Sequence, residues 1–215
     1  MRIPDETNRI AIVGATGSGK TQAELWQLSI RDIDTRPWVI FNWKGDQSID
    51  GIPGAEFIDL DTIPIRPGVY IYHPHPNQND EVESIMWEIW ERGGIGVVID
   101  EGYMVGRNNP AFRAILTQGR SKEIPVIVLS QRPNWMDRFV FSESDFYQVF
   151  RLNDKRDKKS VQEFFPGEID KKLPPYHSYY YDVARDKVSV LKPVPQLEII
   201  YSTFARKLIR VRKTV

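Results

Sequence analysis

The stretch GATGSGKT, residues 14 to 21, has the residue types and spacing for chemistry. It matches the pattern G-x-x-x-x-G-K-[ST] and stands between a predicted strand, RIAIVG, and a predicted helix, KTQAELWQLSIRD. Glycines let a backbone curl so that its N–H groups point inward, and the helix N-terminus adds a dipole that favours an anion. The spacing therefore predicts a loop that binds the phosphates of a nucleoside triphosphate. Its residues are Gly14, Ala15, Thr16, Gly17, Ser18, Gly19, Lys20 and Thr21.

Two carboxylates follow another apolar run, in the stretch GVVIDEG. The pattern of the loop predicts that Lys20 reaches the β- and γ-phosphates and that Thr21 binds Mg²⁺. Because parallel strands open at their carboxyl ends onto one crevice, we expect Asp100 to approach the same Mg²⁺. Glu101, one residue further, is suited to orient or deprotonate a water that attacks the γ-phosphate. The pair favours hydrolysis over nucleotide binding alone.

A polar residue also ends the run VIVLSQRP. If this strand lies beside the one that ends in Asp100, Gln131 faces the γ-phosphate, where a neutral amide senses the phosphate or positions the water. The alternative is a simple turn at the strand end, before Pro133.

Composition limits the class of protein. With 215 residues, 41% hydrophobic and 27% charged, the chain suits one compact domain with a sizeable core. It has no cysteine, which excludes disulfides and thiolate metal sites, and no apolar run long enough to cross a bilayer. The formal net charge is zero, so we expect a single subunit to bind nucleic acid only weakly through its overall field.

The order of the predicted elements indicates the fold class. Short apolar strands alternate with helices, which predicts an α/β fold with a mainly parallel sheet covered on both faces. The capping-box spacing of Asp80 and Glu83 predicts the start of one helix, and Gly93 and Gly94 predict its end. Within a single domain of residues 1–215, we expect an ATPase core over about 9–165 and a separate tail over about 166–215.

The tail differs in pattern from the core. HSYYYDV and KVSVLKP flank ARD, which predicts a β-hairpin, and the last stretch, LEIIYSTFARKLIRVRKTV, is amphipathic and basic. The tyrosines near the hairpin are expected to pack within it; they are Tyr176, Tyr179, Tyr180 and Tyr181.

Four stretches occur in the order seen in the FtsK/HerA superfamily of DNA-translocating ATPases: GATGSGKT, VVIDEG, GRSKEIPVIVLSQRP and FYQVFRLNDK. VIFNWKGD also resembles the second-strand motif of that group. The chain is similar in size to the genome-packaging ATPases of PRD1-like, membrane-containing icosahedral viruses, and it lacks the accessory domains of the cellular translocases. The resemblance covers residues 9 to 160 and implies a P-loop NTPase of the RecA/ASCE type.

The resemblance also implies an activity and partners. Members of the superfamily form a ring, usually a hexamer, that hydrolyses ATP and drives double-stranded DNA through its centre. For this chain the implied partners are double-stranded DNA, further copies of itself, and a capsid vertex or packaging proteins. The implied location is the host cytoplasm during assembly, or the packaging vertex of the virion.

Two arginines are candidates for a role between subunits. Arg113 and Arg120 are seven residues apart on a predicted helix and would share one face. The resemblance implies that Arg120 stabilises charge on the γ-phosphate bound by a neighbouring subunit, with Arg113 as a second candidate. The alternative is that both are solvated residues of a helix surface. Arg132, beside Gln131, is open to a phosphate or DNA contact.

The residues that contact DNA stay open at this level. A charged helix start could line a channel once repeated around a ring, or could be a solvated surface; its cations are Lys155, Arg156, Lys158 and Lys159. The basic tail is compatible with contacts to DNA, to a capsid vertex or to an adjoining subunit; its cations are Arg206, Lys207, Arg210, Arg212 and Lys213.

Two other functions compete with a packaging motor. A small-molecule kinase would transfer phosphate to an acceptor and usually carries an arginine-rich lid, which the sequence does not show. A phage morphogenesis ATPase would use the nucleotide to build a complex without moving DNA. A GTPase is disfavoured because the N-K-x-D motif is missing. Stimulation of ATP turnover by DNA separates the motor from the kinase and assembly functions.

Overall fold

The computed structural model of the protein describes residues 2–5 and 7–213, without the side chains of residues 210–213. The strands are β1 Ile10–Val13, β2 Pro37–Asn42, β3 Glu56–Phe57, β4 Gly68–Tyr72, β5 Gly96–Asp100, β6 Val126–Ser130, β7 Phe146–Val149, β8 Ser178–Asp182 and β9 Lys187–Leu191. The helices are α1 Lys20–Ser29, α2 Gln47–Asp50, α3 Asn79–Arg92, α4 Pro110–Gln118, α5 Phe139–Ser142, α6 Lys155–Gln162 and α7 Leu197–Lys213.

The strands form one sheet in the order β3-β4-β2-β5-β6-β1-β7-β8-β9. All pairings from β3 to β7 are parallel, and the β8–β9 hairpin adds antiparallel strands at the end next to β7. The predicted mainly parallel sheet and C-terminal hairpin are therefore confirmed. Strands β5 and β6 are adjacent, which is the condition on which the predicted place of Gln131 depends. The register places Val13 beside Ser130 and Asn42 beside Asp100. The central strands thus end together, along what we call the carboxyl edge of the sheet; their opposite ends form the amino edge.

Helices cover both faces of the sheet. On one face, α3 buries an apolar stripe that is formed by Val82, Ile85, Met86 and Ile89. On the other face, α1 and α7 pack into a second core cluster. In α7 the buried residues Ile200, Phe204 and Leu208 recur every fourth position, so they share one side of the helix. Burial of such side chains contributes about 1.5–3 kcal/mol each, which is enough to hold the basic tail helix on the domain.

Helix α3 starts earlier than the capping-box spacing predicts. Its N-cap is Gln78, and Asp80 lies in the first turn instead of capping it. The side-chain oxygen of Gln78 accepts a hydrogen bond from the His75 N–H (2.8 Å), and the backbone N–H of Gln78 donates to the His75 carbonyl (2.9 Å). A closed turn therefore leads directly into the helix. Asp80 still has a favourable position because acidic side chains in a first turn complement the helix dipole. The end at Gly93, with φ 67°, is as predicted.

Helix α4 is shorter than predicted, which corrects the expectation for the two arginines. It ends at Gln118, and residues Gly119–Lys122 form a tighter 3-10 turn. The chain then folds back so that the Ile124 N–H donates to the Gly119 carbonyl (2.9 Å). A side chain at Gly119 would lie 3.2 Å from the Ile124 Cβ, so this close return favours glycine. Arg120 therefore lies beyond α4 and does not share a helix face with Arg113.

The hairpin tyrosines divide into two groups. Tyr180 and Tyr181 are buried in β8 and Tyr179 is partly buried, as expected for hairpin packing. Tyr176 is different: it precedes β8 and is 59% exposed, so the prediction of hairpin packing is wrong for this residue. The cause is a turn before the strand, which directs the chain over the loop that follows β1.

The elements that the sequence did not predict are short. Strand β3 and helices α2 and α5 have two to four residues each, too few to display a hydrophobic period. Among the described residues, no helix combines the length and apolar character needed to span a membrane.

Candidate active site

The loop between β1 and α1 has the backbone conformation of a phosphate cradle. Gly17 and Gly19 have φ values of 72° and 97°, a left-handed region that glycine adopts without steric cost. The N–H of Gly14 donates to the Ser130 carbonyl (3.3 Å), and the N–H of Ala15 donates to the Arg151 carbonyl (2.8 Å). The loop is therefore hydrogen-bonded to the end of β6 on one side and to Arg151, two residues beyond the end of β7, on the other.

Two side chains of the loop are oriented for an anion. Lys20 is 7% exposed and its Nζ donates to the Ala15 carbonyl (3.0 Å), so the ammonium lies across the loop. Burial lowers the pKa of Lys20, although the charge of Glu101 acts in the opposite direction. The Ser18 hydroxyl is buried without a hydrogen-bond partner among the described residues. Phosphate oxygens would supply that partner, so the loop fits a triphosphate.

Asp100 ends β5 at the carboxyl edge and is 3% exposed. Its Oδ2 atom is buried and has no hydrogen-bond partner within the described part of the chain. Burial, followed by the negative charge of Glu101, raises the pKa of Asp100 to about 7. A divalent cation would supply both a partner for Oδ2 and an opposite charge. Asp100 and the Thr21 hydroxyl, in the first turn of α1, are a donor set that fits Mg²⁺.

Glu101 is held from two sides. Its Oε1 forms an ion pair with the Lys44 ammonium, and its Oε2 accepts a hydrogen bond from the Gln131 N–H (3.3 Å). The residue is 3% exposed and has φ 65°, a conformation uncommon for a residue other than glycine. Such a conformation costs on the order of 1–3 kcal/mol and persists only where surrounding contacts impose it. These contacts fix the direction of the carboxylate at the carboxyl edge.

Gln131 connects the carboxylates to the loop. Its side-chain Oε1 accepts a hydrogen bond from the Thr16 hydroxyl (2.5 Å), while its backbone N–H binds Glu101. The strand β6 that carries it lies between β1 and β5. Gln131 therefore lies between the phosphate loop and Glu101, and its predicted role toward the γ-phosphate stays a prediction.

Two charged residues of the site were not identified from the sequence. Lys44 lies two residues beyond the end of β2, and Asp100 is the last residue of β5. The only sequence signal for Lys44 was a charged residue close to the end of a buried strand. Glu24 lies on α1, 1% exposed, with both carboxylate oxygens lacking a hydrogen-bond partner among the described residues. Burial, followed by the charge of Asp100, raises the pKa of Glu24 well above its ordinary value. Its signal was only a spacing of four residues from Lys20, which is also typical of a surface ion pair.

Arg120 lies far from the phosphate loop of the same chain. Its guanidinium binds Asp145 (2.7 Å), and the other oxygen of that carboxylate accepts from the Arg9 N–H (2.9 Å). Arg9 precedes β1 and Asp145 precedes β7, so all three residues lie at the amino edge. Strand β1, which has four residues, separates the two edges by about 13 Å. The Arg120 side chain is 59% exposed and open to a neighbouring molecule.

Arg113 has different surroundings. It lies in the first half of α4, and its Nε donates to a carboxylate oxygen of Asp137 (2.6 Å). Its guanidinium also lies 5.5 Å from the centre of the Phe139 ring. The structure therefore does not bring Arg113, Arg120 and the phosphate loop together within one chain.

The basic segments are partly engaged. In α6, Lys158 pairs with Asp170 (2.6 Å), whereas Lys155, Arg156 and Lys159 are exposed. In α7, Lys207 donates to the Arg31 carbonyl and Arg206 is exposed. The side chains of Arg210, Arg212 and Lys213 lie outside the described residues.

Comparison with individual known proteins identifies the family of the chain, although no general family model matches it. The chain is 46% identical to the DNA packaging ATPase P9 of Enterobacteria phage PRD1, over 95% of each protein. It is similar in structure to the genome packaging NTPase B204 of Sulfolobus turreted icosahedral virus 2 in complex with AMPPCP, with a TM-score of 0.71 and 18% identity, over 89% of this chain and 100% of that one.

A second structural relative is more distant. ATPases 2 and 3 of EssC from Geobacillus thermodenitrificans match with a TM-score of 0.62 and 14% identity, over 97% of this chain and 44% of that one. At these identities the structural matches support the fold, and the PRD1 relative decides the family. The chain belongs to the viral DNA-packaging ATPase family that contains P9 of phage PRD1.

Proposed function

We propose that this protein is an ATP-hydrolysing motor that moves double-stranded viral DNA into a preformed capsid. One observation carries the proposal: the phosphate loop faces Asp100 and Glu101 across β6, so triphosphate binding and a carboxylate for water lie at one edge of the sheet. The names of two relatives support it, since P9 is a DNA packaging ATPase and B204 is a genome packaging NTPase with a bound ATP analogue.

The residues divide the chemistry between them. The backbone of the loop and Lys20 bind the triphosphate, and Thr21 and Asp100 bind Mg²⁺, which when present neutralises charge on the phosphate oxygens. Glu101 orients the attacking water and accepts its proton. Gln131, bonded to Thr16 and Glu101, positions that water or senses the γ-phosphate.

The subunit needs a partner to complete this site. Arg120 lies at the amino edge, one strand length from its own phosphate loop. We assign it to the nucleotide of a neighbouring subunit, where a guanidinium stabilises charge on the γ-phosphate. Arg113 is the second candidate for this role. A closed ring of identical subunits, six by resemblance to the superfamily, provides such a neighbour for every site.

DNA contacts in the motor are made by repeated local charge. Because the formal net charge is zero, one subunit binds duplex DNA weakly, and a ring that repeats exposed cations such as Lys155, Arg156 and Lys159 binds it more tightly. The ring acts in the host cytoplasm during assembly and at the packaging vertex, where it meets capsid or packaging proteins.

The test is ATP turnover with and without double-stranded DNA, measured across protein concentration, with Lys20→Ala as the inactive control. We expect turnover to need Mg²⁺, to rise with subunit concentration and to be stimulated by DNA. Turnover that transfers phosphate to a small acceptor would identify a kinase. Turnover indifferent to DNA at every concentration would favour the assembly ATPase and contradict the motor.

A further inference from the structure

The orientation of the nucleotide follows from the order of the strands. On one side of β1 lie β6 and β5, which carry Gln131, Asp100 and Glu101; on the other lie β7 and β8. If ATP is hydrolysed as proposed above, the γ-phosphate faces the carboxylates. The nucleoside end then points away from them, toward the β7–β8 side of the loop.

A cavity of about 210 Å³ lies on that side. It opens beside Gly17 and Ser18 of the phosphate loop, and its opposite wall is the segment that leads into β8. That wall offers apolar surface from Leu173, Pro174 and Pro175 and the aromatic ring of Tyr176. The cavity therefore combines the end of a phosphate cradle with an apolar and aromatic wall, which a nucleoside needs.

Tyr176 covers the loop itself. A Cβ built on Gly19 would lie 3.3 Å from Tyr176 Cδ1 and 3.7 Å from Phe150 Cε1. Phe150 is buried, whereas Tyr176 is 59% exposed. One face of the tyrosine is therefore packed against the loop backbone while much of the side chain remains accessible to a ligand.

The backbone at Tyr176 is unfavourable for its residue type. The His177 N–H donates to the Pro174 carbonyl (3.2 Å), which closes a four-residue turn with proline second and Tyr176 third. Tyr176 has φ 61°, and this third position with positive φ is normally filled by glycine or asparagine. A tyrosine at this position destabilises the folded protein through steric strain, and its side chain gains little from burial. The stability of the fold therefore does not explain why the residue is a tyrosine.

We propose that Tyr176 is the stacking platform for the nucleobase of ATP, with Pro174 and Pro175 beside it as the apolar wall. The inference rests on the proposed function, because it takes the direction of the nucleotide from the hydrolytic carboxylates. Stacking uses the π-face that every base has, and the larger purines gain more from it than pyrimidines. The subsite therefore selects purine over pyrimidine triphosphates and discriminates little between adenine and guanine.

The experiment compares binding of Mg-ATP and of inorganic tripolyphosphate, which has no base, by calorimetry. Tyr176→Gly removes the ring and suits the turn, so it retains the fold; Tyr176→Phe retains the ring. Phe57→Ala is the matched control, because Phe57 is also 59% exposed and lies on the far edge strand β3. We expect Tyr176→Gly to weaken ATP binding about tenfold and to leave tripolyphosphate binding unchanged. Tyr176→Phe and Phe57→Ala should bind both ligands like the wild type.

The outcomes separate this inference from the function on which it rests. Wild-type affinity for ATP in Tyr176→Gly, or an equal loss of ATP and tripolyphosphate, would overturn the base subsite and leave the motor intact. Failure of the wild type to bind ATP would overturn the proposed function. A second measurement does not need variants: photolysis with 8-azidoadenosine triphosphate should label the peptide that contains Tyr176. Labelling confined to other peptides would overturn the assignment.

Discussion

The two edges of the sheet differ in how exposed their candidate functional charges are. At the carboxyl edge, charged side chains are buried and closely grouped, with Lys20, Asp100 and Glu101 each less than 10% exposed. At the amino edge, the Arg120 side chain is 59% exposed and pairs with Asp145, although Arg9, whose N–H binds the same carboxylate, is buried. The carboxyl edge therefore has the desolvated character of a ligand site, and Arg120 places one exposed cation at the amino edge, as the proposed role toward a neighbouring molecule requires. Under the proposed function, one chain keeps these two roles apart and a ring of chains would bring them together.

The largest effect is expected from the amino edge. Arg120→Ala should retain ATP binding and lose turnover by roughly 10³-fold or more, because a transition-state arginine is removed from the neighbouring site. Arg113→Ala is the comparison, and a larger loss there would transfer the role to Arg113. Turnover is measured under saturating ATP with verified oligomers.

The exchange of subunits tests whether that arginine acts between molecules. Arg120→Ala subunits mixed with Glu101→Gln subunits should regain activity, because an Arg120→Ala subunit with an intact loop can receive its neighbour's arginine. Several mixing ratios are needed, with exchange verified. No recovery in proven mixed rings would contradict an arginine supplied in trans.

A slightly smaller effect is expected at the carboxyl edge. Glu101→Gln should bind Mg-ATP normally and lower kcat by roughly 10²–10⁴-fold, because an amide cannot accept the proton of water. Asp100→Asn is the control that should also alter the Mg²⁺ dependence. Wild-type turnover in a folded Glu101→Gln protein would remove Glu101 from the chemistry.

Lys44 is expected to have an intermediate effect, as a positioning residue. Lys44→Met removes the ion pair with Glu101, and kcat should fall by about tenfold with little change in KM, since the carboxylate loses one of its two fixed contacts. Lys44→Arg should recover part of the rate. A loss confined to KM would indicate instead that Lys44 binds the nucleotide.

The smallest effect concerns stability and Glu24. Its pKa in the folded protein is raised above the ordinary 4.5, chiefly by burial, so the folded state holds this proton more tightly than the unfolded chain. The associated stability is complete below the unfolded pKa and is lost as pH rises toward the folded pKa, by about 1.4 kcal/mol per pH unit. Glutamine stays neutral throughout. Glu24→Gln should therefore melt near the wild type at or below about pH 4.5 and progressively above it as the pH rises further.

Thermal melts across pH, with the exposed Glu91→Gln as control, measure this difference. About 1 kcal/mol corresponds to roughly 2–4 °C for a chain of this size. A difference between Glu24→Gln and the wild type that stays constant with pH would show that Glu24 does not titrate in the folded protein as expected.

The parts that the sequence predicted are those with local signals. The phosphate loop has its own pattern, and the carboxyl-end rule for parallel strands correctly placed Asp100 and Glu101 at one edge of the sheet. Gln131 joins them because β6 pairs with β5, the condition on which its predicted place depended. Lys44 was missed because its place beside Glu101 depends on the pairing of β2 with β5, which no local pattern encodes. The roles of these residues, and the division between core and tail, remain predictions.

The wrong predictions, for the length of α4 and for Tyr176, also have causes that no local pattern encodes. The helix through Arg113 and Arg120 was predicted too long because the tight return at Gly119 depends on contact with Ile124. Tyr176 was grouped with its neighbours because a tyrosine run is typical of a packed strand, whereas a turn with a positive φ is visible only in three dimensions.

The two backbone bonds that anchor the phosphate loop, from Gly14 to Ser130 and from Ala15 to Arg151, have a kinetic consequence. A loop already fixed to both flanking strand ends loses little conformational entropy when an anion enters, so association need not wait for ordering of the backbone. In hydrogen exchange, the amides of Gly14 and Ala15 should be protected before any nucleotide is added, with rates close to those of the β1 core. In each cycle the nucleotide would then bind to a phosphate loop that is already ordered.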